Sequence, residues 1–165
     1  IEILNLTRSL GISLASHDDA TSGHVDEAVE DGAVIAEFPT SAESAEAAHR
    51  HGLAVLMGAP NIVRGGSHSG NISATEVAAM GHLDILSSDY VPASLLLAAF
   101  ALPEQVEGMT LAKAVGFVTA KPAAAAGLDD RGEIDFGKRA DLIQVSVKTG
   151  SPVVRRVWRE GVRVL

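Results

Sequence analysis

The sequence has no cysteine in its 165 residues. That excludes a disulfide-stapled fold and any thiolate metal site, and leaves histidine and carboxylate as the strong ligands. Aromatic residues make up only 4% while hydrophobic residues make up 47%, so alanine and branched aliphatics must build the core. No apolar run approaches the roughly 20 residues that span a bilayer, and no membrane partner is expected. The opening IEILNLTRSL has no basic stretch ahead of an apolar one, so no secretory leader is expected. With the lack of cysteine, this points to the cytoplasm. The opening also lacks an initiator methionine. Positive charge is scarce: the formal charge is −8, and basic residues cluster only in VVRRVWREGVR. A nucleic-acid partner needs a basic face to displace counterions, so none is expected.

What is present is an alternation of two periods. Nearly continuous apolar runs at Ile12–Ala15, Ala33–Ala36, Leu53–Met57 and Leu83–Leu86 predict buried strands of a parallel sheet. Alanine- and glutamate-rich segments between them predict helices over about 22–30, 41–51 and 73–80, with a fourth over about 92–101. Ser41 is a ready cap, and Ser73 with Glu76 forms a capping-box pattern. A further helix is expected over about 110–120, and the alanine run 123–126 resumes a helix that Gly127 closes. The order βαβαβαβα argues for an α/β fold, either doubly wound or part of a (β/α)8 barrel. From about residue 129 the character changes to short strands with glycine turns. The expected layout is an α/β part over 1–128 and a small β module over 129–165.

In parallel α/β folds the chemistry gathers where the strands end. There the sequence puts His17, Asp18 and Asp19, then Glu37, and later Ser87, Ser88 and Asp89. Any one of these has an ordinary reading. A histidine at a strand end is usually just hydrogen-bonded, and Asp89 could cap the next helix. Glu37, beside an apolar run, is harder to dismiss, because an unpaired buried carboxylate costs several kcal/mol. Taken together, one strand-end geometry would gather all three into a metal or proton-transfer site. The third strand end carries the polar loop GAPNIVRGGSHSGN, residues 58–71. Gly65 and Gly66 would let backbone approach a ligand, Arg64 offers a forked donor for phosphate, and His68 and Asn71 add polar groups. A phosphorylated small-molecule substrate is the expectation, although no G-x-x-x-x-G-K-[ST] loop is present. His24, His49, His51 and His82 fall in helices or ahead of strands and carry no functional expectation. Trp158 reads as packing.

With these residues in view, LASHDDAT, IAEFPTS, VLMGAPNIVRGGSHSGN, LDILSSDYVPASLL and DRGEIDFGKRADLIQV together resemble the amidohydrolase superfamily, in its phosphonate-breakdown branch. The resemblance runs over essentially the whole chain. It implies a metal-dependent hydrolase with a TIM-like (β/α)8 barrel flanked by a small β-sandwich built from both chain ends. Such enzymes are more than twice as long and carry a His-x-His metal pair early in the barrel. None lies at a strand end here, since His49-Arg50-His51 falls at a helix end. The resemblance therefore implies the last four barrel strands and the end of the β module. The implied partner is the missing N-terminal half or an equivalent chain, and a homo-oligomer is expected.

By resemblance, His17 stands where a fifth-strand metal ligand belongs. Glu37 stands where many relatives have a sixth-strand histidine, and Asp89 where the eighth-strand aspartate binds metal and acts as the base. The implied cofactor is a divalent metal, zinc or another. The implied reaction is cleavage of a phosphoanhydride in a sugar triphosphate with release of pyrophosphate, the charge being held by Arg64, His68 and Asn71. The other readings are a different amidohydrolase reaction, such as cyclic-amide hydrolysis or deamination, and a half-barrel that only binds. The loop suits a polyphosphate better than a neutral ring. The chain alone is expected to have little activity.

Overall fold

The computed structural model describes residues 2–67, 70–148 and 150–165. In chain order the elements are α1 (Glu2–Leu10), β1 (Leu14–His17), α2 (Ser22–Asp31), β2 (Ala33–Glu37), α3 (Ala42–Arg50), β3 (Ala54–Gly58), α4 (Ala59–Arg64) and α5 (Ala74–Ala79). They continue as β4 (Ile85–Ser87), α6 (Ser94–Gln105), α7 (Leu111–Gly116), α8 (Ala120–Ala125), β5 (Leu142–Lys148), β6 (Ser151–Arg159) and β7 (Val162–Arg163). Strands β1 to β4 lie side by side in sequence order, all parallel, while β5 to β7 form a separate antiparallel sheet. This is the α/β arrangement read from the alternating periods, with helices crossing between adjacent parallel strands.

The sheet is buried by small side chains, as the composition requires. Ala45, Ala47 and Ala48 of α3 are fully buried together with Ala36, Val55, Val25 and Ile62. Alanine on the packed helix face lets α3 sit close to the sheet. Phe117 is the one large aromatic in this core. Helix starts follow their caps. Thr21, Ser41, Ser73 and Thr110 each accept a bond from a backbone N–H of the first turn, and Ser41 and Ser73 close full capping boxes.

Several boundaries differ from the sequence reading, each for a physical reason. The first strand is Leu14–His17 rather than Ile12–Ala15, because the Ile12 N–H turns back to the Thr7 carbonyl and closes α1. Helix α1 itself was not expected from the sequence. Its Ile3, Leu6 and Leu10 recur at helical spacing, yet all three stay exposed. Residues 59–64, expected as loop, form α4, which starts directly at the end of β3 with Pro60 in its first turn, where no N–H is needed. Helix α6 continues past the expected end to Gln105, holding Pro103 in its last turn. Helix α7 stops at Gly116, and α8 starts ahead of Pro122.

In the antiparallel sheet, β6 and β7 meet at the turn Glu160–Gly161, both with positive φ, the geometry of a two-residue hairpin loop. The preceding segment braces this turn. The Gly161 N–H donates to Ala140 O, and Arg139 donates to Glu160 at 2.7 Å. The Glu160 N–H donates to the Asp141 carboxylate, which holds that carboxyl below its ordinary range. The module leans on the body through α6 and β6.

Candidate active site

The strand register sets the site. His17 of β1 and Glu37 of β2 are direct partners, and the same row continues through Leu56 of β3 to Ile85 of β4. Gly58 and Ser87 are level with each other at the carboxyl ends of β3 and β4. Asp89 follows two residues later.

The loops beyond these ends are tied to one another. Thr40 donates its N–H to Asp19 O at 2.8 Å, Ile72 donates its N–H to Thr40 O at 3.1 Å, and Ser41 Oγ donates to Ala20 O at 2.8 Å. Asp19 is only 7% exposed, and its carboxylate accepts from Ser16 Oγ at 2.5 Å. The buried acid thus anchors the turn that follows β1 and leaves Asp18 facing outward. A second brace is the Ser22 N–H, which donates to Glu43 at 2.9 Å and lowers that carboxyl from its ordinary value.

A cavity of about 160 Å³ opens inside this rim, lined by Asp18, Phe38, Gly58, Asn61, Asn71 and Asp89 among others. Three of these residues, Asp18 (φ 60°), Phe38 (φ 55°) and Asp89 (φ 47°), occupy the left-handed region. Each comes at or just past the end of a strand. A left-handed L-residue costs about 1 kcal/mol or more, most of all for a bulky side chain such as Phe38, and such strain gathers at functional sites. It bends the chain sharply, so that the side chains at successive strand ends turn toward one space. The Asp89 N–H is held by Ser87 Oγ at 3.0 Å. A Cβ built on Gly58 would stand 3.5 Å from Asp89 Oδ2 and 3.6 Å from Asn61 Nδ2. The acid and the amide therefore flank the same floor. Asn61 Oδ1 is buried with no hydrogen-bond partner. Such an orphan acceptor costs about 1–3 kcal/mol.

The structure brings Asp89 and Asn71 together at the cavity. His17, Glu37, Arg64, Gly65 and Gly66 are not among its lining residues. His17 is largely exposed; its Nδ1 lies 3.1 Å from the Asp18 carboxylate, and its ring meets Phe38 edge-on at 5.6 Å. Glu37 is half-buried beside it. Three strand steps separate β1 from β4, about 14 Å along a flat sheet. Among the described residues no three His, Asp or Glu groups come close enough to hold a metal ion. The donor chemistry suits a divalent cation, because two carboxylates line the cavity and no Lys or Arg does.

Arg64 lies in the last turn of α4 and donates to the Tyr90 hydroxyl at 3.0 Å, beside Asp89. Gly65 and Gly66 differ from expectation. Their N–H groups donate to Ile62 O and Asn61 O and close α4, so these amides are spent on the helix end rather than offered to an anion. His68 lies outside the described residues. Asn61 and Phe38 escaped the sequence reading, while Asp18 was read only as one of the acids that follow His17. The available signal for Asn61 was its place directly after Ala-Pro at a strand end, the mark of a helix starting at the active rim. Of the histidines given no function, His49 and His82 stack at 4.4 Å and His51 meets Asp26 at 2.9 Å.

A parallel sheet whose strand ends carry a histidine and acids, joined to an antiparallel module, defines a class, and the sequence matches it. The chain belongs to the amidohydrolase family, which it matches over residues 2–164. It is 58% identical over 163 residues, 98% of its own length, to the alpha-D-ribose 1-methylphosphonate 5-triphosphate diphosphatase of Escherichia coli strain K12. It spans 43% of that relative's length. Among solved structures it resembles an adenosine deaminase from Xanthomonas campestris with bound zinc (TM-score 0.68, 18% identity, 99% of this chain and 48% of that one). It also resembles an amidohydrolase from Thermotoga maritima MSB8 (TM-score 0.57, 17% identity, 94% and 44%). An uncharacterized metal-dependent hydrolase from Pyrococcus furiosus is a third (TM-score 0.62, 16% identity, 84% and 34%). At these identities the likeness shows the fold: part of an amidohydrolase barrel with its β module. No helix among the described residues is long and apolar enough to cross a membrane.

Proposed function

We propose that this chain forms the C-terminal part of a metal-dependent diphosphatase that hydrolyses a phosphoanhydride of a ribose 5-triphosphate phosphonate ester and releases pyrophosphate. One observation carries the reading. In a chain 58% identical to the Escherichia coli diphosphatase, Asp89 is held in a strained turn at the carboxyl end of β4, facing a cavity it shares with Asp18, Asn61 and Asn71.

In this reading Asp89 is the base that takes the proton from the attacking water, a role worth about 10²–10⁴ in rate. His17 and Asp89, with Glu37 as a further donor, would hold a divalent ion such as zinc once the missing strands close the barrel and draw β1 and β4 together, the rest of the coordination sphere coming from residues outside this chain. When bound, that ion supplies positive charge for the phosphates and acidifies water. Arg64 and Asn71, with His68, balance the polyphosphate at the rim, where Arg64 is already oriented by Tyr90. Gly65 and Gly66 place Arg64 by ending its helix. Residues 1–128 form the barrel part and 129–165 the β module, the partner being the remainder of the barrel, as one polypeptide or two. A cytoplasmic setting fits the absence of cysteine.

The test is pyrophosphate release from the ribose triphosphate ester by the chain alone, and by the chain co-expressed with the part of the Escherichia coli relative that it does not match. Little turnover is expected from the chain alone and robust, chelator-sensitive turnover from the pair. Asp89→Asn should lower the paired rate at least 100-fold. An Asp89→Asn pair that keeps full activity would remove Asp89 as the base.

A further inference from the structure

Asn61 is the one cavity residue whose side chain carries a buried acceptor with no partner. The neighbouring ionisable groups of the cavity, Asp18 and Asp89, are acceptors as well. Ionised phosphate has no hydrogen to give to Asn61 Oδ1. A ligand group that satisfies Asn61 Oδ1 must carry an O–H or N–H. Arg64 donates to the Tyr90 hydroxyl and is not among the residues that line the cavity. Donor-seeking atoms therefore occupy the inside and the cationic group stands outside.

The placement of Asn61 is built in. Helix α4 begins at the last residue of β3 without a connecting loop, and Pro60 fixes its first turn. The Asn61 carbonyl receives the Gly66 N–H at 2.9 Å, which ties the residue to the closed end of the same helix. The side-chain amide is left against Gly58, across from the Asp89 carboxylate.

We propose that Asn61 is a specificity-determining residue that accepts a hydrogen bond from a pentose hydroxyl, seating the sugar in the cavity so that its phosphate chain runs past Asp89 toward Arg64. This rests on the diphosphatase reading and adds to it the residue that reads the sugar.

The experiment uses the ¹⁵N-labelled chain paired with the unlabelled part of the Escherichia coli relative that it does not match, titrated separately with D-ribose 5-phosphate and with pyrophosphate. The Asn61 side-chain amide signals are assigned by their loss in Asn61→Leu. Ribose 5-phosphate is expected to shift these signals saturably and pyrophosphate to leave them in place. Asn61→Leu should weaken ribose 5-phosphate binding at least tenfold and pyrophosphate binding less than twofold, with Tm unchanged or raised. A merely structural asparagine would lower Tm and weaken both ligands alike, which overturns the proposal. It is also overturned if Asn71 or Asp89 signals respond to ribose 5-phosphate while Asn61 does not, and in that case the diphosphatase site stands. If no cavity signal responds to either ligand, the site reading fails and the proposal fails with it.

Discussion

Asp18 shows how a single residue can trade stability for placement. Its φ of 60° costs free energy that any glycine would avoid. Its carboxylate meets His17 at 3.1 Å, where exposure limits the gain of an ion pair. Asp18→Gly is therefore expected to leave the protein as stable or more stable, by up to about 1 kcal/mol. The same change should weaken the binding of a divalent cation to the chain. Urea titration and calorimetric titration with zinc check the two halves. Loss of stability without loss of cation binding would show that the strained turn serves the fold. The identity of the strand-end residues was legible from sequence, because His17, Glu37 and Asp89 each close an apolar run. The left-handed turns were not, since a bulky residue such as Phe38 gives no sign of a positive φ and Asp signals it only weakly. Asn61 escaped for another reason: it lies inside α4, a helix that was read as loop.

At the scale of elements, the caps were the most legible feature and the helix ends the least. Ser73 accepts the Glu76 N–H at 3.2 Å, and Glu76 in return accepts from Ser73 Oγ at 2.7 Å and from its N–H at 2.8 Å. These bonds, the hydroxyl first and the backbone N–H second, hold the Glu76 carboxyl below its ordinary value. The folded protein binds that proton less readily than the unfolded chain does. The contribution is complete above the ordinary glutamate range and disappears as pH falls from about 5 through the depressed folded value. Ser73→Ala should cost about 1 kcal/mol at pH 7, and the deficit against the parent should shrink toward pH 3. Denaturant midpoints at the two pH values measure this. An equal deficit at both would mean that the hydroxyl acts without the carboxylate. The capping box could be read from four letters. The start of α4 could not, because it depends on β3 ending at Gly58 with no loop between. Helix α1 did carry a signal, since Ile3, Leu6 and Leu10 recur at helical spacing, and it was overlooked because the segment precedes the alternation of strands and helices.

The whole molecule carries apolar surface that its own core does not use. Ile3, Leu6 and Leu10 of α1 are exposed, and so are Ile143 and Val147 on one face of the β5–β6 ladder. A chain spanning 43% of its relative presents such surface where the rest of a barrel and a composite sandwich would pack. Strand β1 is an edge of the parallel sheet, and an unpaired edge is a template for another strand. Ala15, exposed in the middle of β1, is the place to test it. Ala15→Lys should reduce concentration-dependent self-association in sedimentation runs with little change in Tm. Unchanged association would assign it to the apolar face of the β module instead.

The two edges of that sheet are not equivalent. On the β4 side the Leu86 N–H already donates to Phe117 O at 2.9 Å, so the chain's own α7–α8 connection occupies that flank. The β1 side has no such cover among the described residues. Backbone pairing can therefore proceed from one side only, and two copies that join there use up the reactive edge of both. Such a contact is self-limiting: it closes at a pair and leaves no end from which a fibre could grow.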